Sequence, residues 1–212
     1  MVAPVVKLTE LTRTLRCKVA VCGDPTVGKS ALVNMFISKG QKFPKEYLMT
    51  SGINVVVGSV QVPETKTLVE MFLYDTAGSS LTFLAGTDSS KDSLAALWNG
   101  VYYAVLVYDV SSQDSFESCK LWLDELKKAR LDKERPLKAV LVAAKSDLPN
   151  QRHQVAADVA EVWATANGLD FFAVSSVPPG SNVDAPFLAI AKACLKSYDE
   201  RVTAFQDACR NY

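Results

Sequence analysis

Residues 101–108 read VYYAVLVY, a run without a single charged side chain. A strand of that composition must be covered on both faces, which in a water-exposed chain means helices packed above and below a sheet. Five more strand-like runs occur: CKVAVC (17–22), INVVVGSV (53–60), LVEMFLY (68–74), KAVLVAA (138–144) and FFAVS (171–175). Helical patterns separate most of them, namely KSALVNMFISK, DSLAALWNG, SFESCKLWLDELKKAR, QVAADVAEVWATANG and a final APFLAIAKACLKSYDERVTAF. The exception is the pair at 53–60 and 68–74, joined by the turn-rich QVPETKT, which predicts an antiparallel hairpin. The pattern therefore specifies a three-layer α/β fold, with a six-stranded, mostly parallel sheet and one antiparallel edge strand.

At 212 residues, 49% hydrophobic and 22% charged, the chain suits one well-buried domain with terminal extensions. Lys plus Arg equals Asp plus Glu at 23 each, so no global field draws it to nucleic acid or to an anionic membrane. Partners must be recognised by local surfaces. The five cysteines (Cys17, Cys22, Cys119, Cys194, Cys209) are odd in number and form no C-x-x-C pair, which fits a reduced cytosolic compartment. The opening MVAPVVKLTELTRTLR is broken by Pro4 and Lys7 and does not resemble a secretory leader, and no apolar run approaches the ~18 residues of a membrane span, so a soluble protein is expected.

In parallel sheets, ligands sit beyond the carboxyl ends of the strands, so the informative residues are those just past each strand. GDPTVGKS (23–30) comes after the first, DTAGSS after the third, KSD after the fifth and SSVPPG after the sixth. The first fits G-x-x-x-x-G-K-[ST] between a strand and a helix: Gly23 and Gly28 let the backbone amides face phosphate oxygens at a helix N-terminus. Lys29 would reach the β- and γ-phosphates, and the Ser30 hydroxyl would ligate Mg²⁺. Asp75 would hold Mg²⁺ through water, and Gly78 would offer its amide to a γ-phosphate. Asp147 is placed to accept hydrogen bonds from the N1 and N2 groups of guanine, which adenine lacks, with the Lys145 stem over the base or its loop.

Together GDPTVGKSALV, YLMTSG, DTAGSS, AKSD and VEMFLYD resemble the Ras superfamily of small GTPases, whose G domain is a P-loop NTPase. The likeness is to its Rab branch, and within that to the Rab-like GTPase subunits of the intraflagellar transport B complex, over about residues 16–200. It divides the chain into an N-terminal extension (1–15), the core of the GTPase domain (16–182) and a C-terminal helix (183–212) that completes the domain and extends beyond it. GTP/GDP and Mg²⁺ are the implied ligands. The implied nucleotide-binding residues are Asp24, Pro25, Thr26, Val27, Gly28, Lys29, Ser30 and Ala31 of the P-loop, with Phe43, Thr50, Gly78, Lys145, Asp147, Ser175, Ser176 and Val177. In that family Thr50 is the switch I threonine on Mg²⁺, giving Ser30, Thr50 and Asp75 as the metal set. Phe43 falls where an aromatic lies near guanine, and Ser175 and Ser176 match the turn whose amide reads the guanine O6. The likeness also implies tight pairing with a small β-sandwich subunit of the same complex through the C-terminal helix, further contacts with other subunits, and residence in the cytoplasm, the cilium or flagellum and the basal body.

Departures from the family are equally informative. Ser79 stands at the position of the glutamine that orients the attacking water, and its side chain is too short for that task, so very slow intrinsic hydrolysis is expected and no catalytic residue is assigned. A partner supplying arginine and glutamine in trans would reverse that. Ala144 replaces the asparagine of N-K-x-D, and one lost hydrogen bond of roughly 0.5–1.5 kcal/mol predicts weaker nucleotide binding, in the micromolar range. Pro25 replaces a glycine or serine. The stretch after Gly78 is longer than in Rab proteins, and its GTDSSKDS reads as a polar loop.

The end DACRNY makes a poor C-a-a-X box despite Cys209, with no basic cluster nearby, so no direct membrane anchor is expected. Instead Phe187, Ile190, Cys194, Tyr198, Val202 and Phe205 recur at helical spacing; the first three should pack on the sheet, and Tyr198 to Phe205 should project towards a partner. Two functional classes are open: a Mg²⁺-dependent GTP-binding switch subunit, and a structural subunit whose nucleotide does not switch anything.

Overall fold

The computed structural model describes residues 13–44, 46, 49–50, 52–79, 98–129 and 135–210. Six strands, β1 (Arg13–Cys22), β2 (Ile53–Gln61), β3 (Thr67–Thr76), β4 (Val101–Asp109), β5 (Lys138–Ala144) and β6 (Asp170–Val174), form one sheet in the order β2-β3-β1-β4-β5-β6. All neighbours are parallel except β2 and β3, which are antiparallel, as the short QVPETKT link requires. The helices are α1 (Lys29–Ile37), α2 (Gln113–Ala129), α3 (Ala157–Ala166) and α4 (Ala185–Arg210). The predicted helix at DSLAALWNG and the polar GTDSSKDS loop lie outside the described residues, apart from Trp98, Asn99 and Gly100.

The sheet separates two apolar clusters, which is why β4 carries almost no polar residue. On one face α1 and α4 bring Leu32, Val33, Phe36, Phe187 and Ile190 against Val19, Val21, Leu73, Val105 and Val107. On the other, α2 buries Phe116, Cys119, Trp122, Leu123 and Leu126, a stripe of three- and four-residue steps, against Leu106, Tyr108 and Leu141. Phe36 of α1 stacks on Phe187 of α4 with centroids 3.8 Å apart, so these two helices are fixed to each other as well as to the sheet.

Two features depart from simple alternation. Strand β1 begins at Arg13, four residues before the apolar run, because Arg13–Arg16 continue the ladder against Thr67–Glu70 and Arg16 pairs with Glu70 across it at 2.8 Å. A register irregularity between Lys18 and Val19 shifts the pairing from Val101 to Tyr103, so Tyr102 and Tyr103 both face α4. Helix α4 starts just after β6 at the carboxyl edge and runs back to the strand starts, where Asp199 meets Arg13 Nη1 at 2.8 Å. Its first half is buried through Leu195; its second half is not, and Phe205 is 70% exposed.

Candidate functional site

Gly23 closes β1 with φ +147°, and a Cβ there would stand 2.1 Å from the Val107 carbonyl oxygen, so only glycine lets the chain turn off the sheet between β1 and β4. The following loop curls around the Lys29 side chain. Its Nζ donates to the Gly23 and Asp24 carbonyls, both at 2.8 Å, and the residue is 6% exposed. Burial pulls the Lys29 pKa down, partly offset by the nearby carboxylates of Asp75 and Asp24. A desolvated ammonium at a helix N-terminus gains strongly from an incoming anion.

The Ser30 hydroxyl is the hinge of the proposed metal set: it donates to Asp75 Oδ2 at 2.6 Å and lies 3.0 Å from Thr50 Oγ1. The end of β3, the start of α1 and the loop before β2 thus converge on one point. Asp75 is almost fully buried, and its Oδ1 has no hydrogen-bond partner. Burial pushes its carboxyl pKa up against the opposing pull of Ser30 and Lys29. An orphaned buried carboxylate oxygen beside two hydroxyls fits a hard cation. Among the described residues no group of three or more His, Cys, Asp and Glu could hold a metal, so Mg²⁺ here would need phosphate oxygens and water to complete its shell.

Gly78 closes the site from the β3 side. A Cβ on it would come within 2.1 Å of the Pro25 nitrogen, so the DTAG turn lies directly on the P-loop backbone. A cavity of about 240 Å³ is lined by Pro25, Thr26, Gly28, Lys29, Ser30 and Ala31, by Phe43 and Thr50, and by Gly78, Ser79 and Lys145. Pro44, Glu46 and Met49 complete the wall, none of them singled out by the sequence. Asp24 and Val27 do not line it: Asp24 Oδ1 accepts from Trp122 Nε1 at 3.0 Å, and Val27 is buried in the core.

Asp147, Ser175, Ser176 and Val177 also stand outside that lining and form a second cluster at the ends of β5 and β6. Ser175 Oγ donates to Asp147 Oδ1 at 2.6 Å and accepts from the Val177 amide at 3.2 Å, and the Ser146 amide bonds the Val174 carbonyl at 3.2 Å. The two loops are thus one unit. Ala144 lies at its root, its methyl 3.8 Å from where a Cβ on Gly28 would be, so position 144 abuts the P-loop without a polar link to it.

A different link stands there instead. Lys145, in the left-handed region at φ +61°, directs its Nζ to Asp109 Oδ2, and Asp109 Oδ1 accepts from the Ser111 amide and hydroxyl at 2.8 and 2.7 Å. Burial disfavours the charged Asp109, but the bonds from Lys145 and Ser111 outweigh it and hold the carboxyl below its usual range. Sequence reasoning misses Asp109 because the loop after β4 has no glycine. Inspection of the residues at the carboxyl end of every strand, the rule that finds the other loops, would have found it.

A profile of the Ras family matches residues 18–196. The chain is 60% identical to intraflagellar transport protein 27 of Chlamydomonas reinhardtii over 100% of both chains. It is 39% identical to the intraflagellar transport protein 27 homolog of Mus musculus, over 90% of this chain and 96% of that one. It is also 33% identical to Ras-related protein Rab7 of Glycine max, over 92% and 90% of the two chains. With a P-loop, a DTAG turn and a base loop set on the expected edge of a six-stranded sheet, this chain belongs to the Ras family.

Proposed function

We propose that the chain is a Mg²⁺-dependent GTP-binding, Rab-like small GTPase with very slow intrinsic hydrolysis, and a subunit of the intraflagellar transport B complex in the cytoplasm and the cilium or flagellum. The observation that carries the nucleotide part is the convergence of Ser30, Thr50 and Asp75 beside Lys29, with one Asp75 oxygen unpaired. The names of the relatives, which cover nearly the whole chain, support the transport part.

When bound, Mg²⁺ neutralises charge on the β- and γ-phosphate oxygens. The chain's own residues do the rest. Lys29 would exchange its two carbonyl partners for phosphate oxygens, and Ser30, Thr50 and Asp75 would supply oxygen ligands, Asp75 through water. Asp147, held by Ser175, would accept from guanine. Thr50 and Gly78 belong to the two loops that touch the P-loop, so a γ-phosphate would fix both and shape an effector surface. Ser79 lines the cavity but is too short to hold water and phosphate together.

A second reading keeps the same assembly but makes the nucleotide a structural ligand, or dispensable. The exposed distal half of α4 favours it, because a permanent interface with the small β-sandwich subunit there would not require switching.

The deciding experiment is a fluorescent-nucleotide titration of the purified chain with GTP, GDP and ATP analogues, with and without Mg²⁺, repeated with Ser30→Asn in a partner-binding assay. Micromolar, guanine-selective, Mg²⁺-dependent binding is expected, with Ser30→Asn losing effectors while keeping the constitutive partner. No nucleotide binding, or a variant that keeps all partners, would leave the structural reading.

A further inference from the structure

Asp109 ends β4 opposite Ala144 of β5, and the pairing continues past the strands, where the Val110 amide donates to the Ala144 carbonyl at 3.2 Å. The Asp109 amide donates to Oγ of Ser115 at 3.1 Å, a buried residue in the first turn of α2. From the segment before α3, the Gln154 and Val155 amides donate to the Val110 carbonyl at 2.8 and 3.3 Å. The backbone at the end of β4 is thus fixed by β5, by α2 and by the approach to α3. The Asp109 carboxylate is fixed as well, with Ser111 on one oxygen and Lys145 on the other, and its side chain is only 12% exposed.

Lys145 is the residue on which this frame acts. Its left-handed backbone, at φ +61°, is strained for a residue with a side chain, so the turn needs support from outside itself. The Leu148 amide gives some of it by donating to the Lys145 carbonyl at 3.0 Å; the Asp109 carboxylate gives the rest by holding the ammonium. A lysine anchored at both its backbone and its head keeps little freedom in the four-carbon stem between them. The surface that Lys145 shows to the cavity it shares with Gly28 and Phe43 is therefore set from β4, although Asp109 does not line that cavity.

We infer that Asp109 is a positioning residue for the purine: it holds Lys145 so that the lysine stem covers the base, and it sets guanine-nucleotide affinity without touching the nucleotide. This rests on the nucleotide-binding reading given above. At the root of the same loop Ala144 meets the P-loop only with a methyl group near Gly28, so the brace of the base loop runs sideways to β4 and not forward to the phosphate loop. Lys29, Ser30, Thr50 and Asp75 have their own hydrogen bonds and take no part in it. Loss of Asp109 therefore weakens the base end of the site and spares the dependence of binding on Mg²⁺. The bonds from Lys145 and Ser111 keep the carboxyl ionised, as a partner for an ammonium must be.

The test is a double-mutant cycle on the purified full chain. Wild type, Asp109→Asn, Lys145→Met and the double variant are each checked by thermal melt and titrated with a fluorescent GDP, in Mg²⁺ and in chelator. Asp109→Asn should weaken GDP binding about three- to tenfold, the scale of one hydrogen bond. In the Lys145→Met background, where the stem remains but the ammonium is gone, the same change should cost less than about twofold. The ratio of affinities with and without Mg²⁺ should match wild type. If Asp109→Asn does not fold, Ser111→Ala, which takes one hydrogen bond from the same carboxylate, replaces it in the cycle with a smaller loss expected. Unchanged GDP affinity in the position-109 or position-111 variant, an equal loss in both lysine backgrounds, or a collapsed Mg²⁺ ratio would overturn the inference while leaving nucleotide binding in place. A wild-type chain that binds no GDP would instead remove the nucleotide reading, and this inference with it.

Discussion

The Ser30 hydroxyl donates to one oxygen of Asp75 at 2.6 Å while the other oxygen is buried without a partner. Burial raises the Asp75 pKa in the fold, so above that pKa the ionised group subtracts stability, and the penalty vanishes below the ordinary carboxylate range. Asp75→Asn should therefore raise the melting temperature of the metal-free protein at pH 7 by a few degrees, roughly 2–4 °C per kcal/mol for a chain this size. The gain should fade in acid, and Mg²⁺-dependent GTP affinity should drop about tenfold or more. Calorimetry in chelator across pH checks this; a lowered melting point at pH 7 would contradict it.

Asp109 behaves oppositely. Its folded pKa is depressed, so its contribution is present above the unfolded pKa and lost as pH falls through the folded one. Asp109→Asn should cost about 1–3 kcal/mol near neutral pH, the scale of hydrogen bonds to a charged group. The difference from wild type should close on acidification, as read by urea unfolding at a series of pH values.

Position 144 touches the P-loop but offers it only a methyl group. Ala144→Asn should restore a polar tie and tighten GDP binding by roughly 2- to 10-fold, the equivalent of one hydrogen bond. Equilibrium titration with a fluorescent GDP measures it, and unchanged affinity would show that Asp109 and Lys145 already hold the base loop in place.

Ser79 lines the cavity beside Gly78 and Pro25. Lengthening it to the water-orienting residue, Ser79→Gln, should speed single-turnover phosphate release by about tenfold or more, since one well-aimed polar group is worth that much in a transition state. A flat rate would assign the slow step to another residue, with Pro25 first in line.

Phe205 is 70% exposed on a helix whose first half is already packed. Phe205→Glu should leave stability within ~0.5 kcal/mol of wild type, as for other surface changes. If the distal helix is the seat of the β-sandwich partner, the same variant should weaken that complex by about tenfold or more in titration calorimetry. Unaltered binding would move the interface elsewhere.

What the sequence made legible was local. Apolar runs of period two, the QVPETKT turn and the residues just past each strand are written contiguously, so the sheet, the hairpin and four loops at the carboxyl edge could be read from them. The links that tune the site join residues far apart in sequence. Trp122 to Asp24 and Lys145 to Asp109 depend on which strands become neighbours, and no window along the chain contains both partners. The early start of β1 was hidden for a related reason: Arg13 and Arg16 are stabilised by Thr67, Glu70 and Asp199, not by their own hydrophobicity.

Helix α4 begins near the edge that bears the P-loop and ends past the opposite one, and its 26 residues measure about 39 Å at 1.5 Å per residue. The candidate nucleotide site and the exposed distal turns of α4 therefore sit at opposite ends of the fold. A companion gripping residues beyond Tyr198 would feel little of what happens at Ser30 and Thr50, so the chain could be carried as fixed freight on one pole while the other changes its signal.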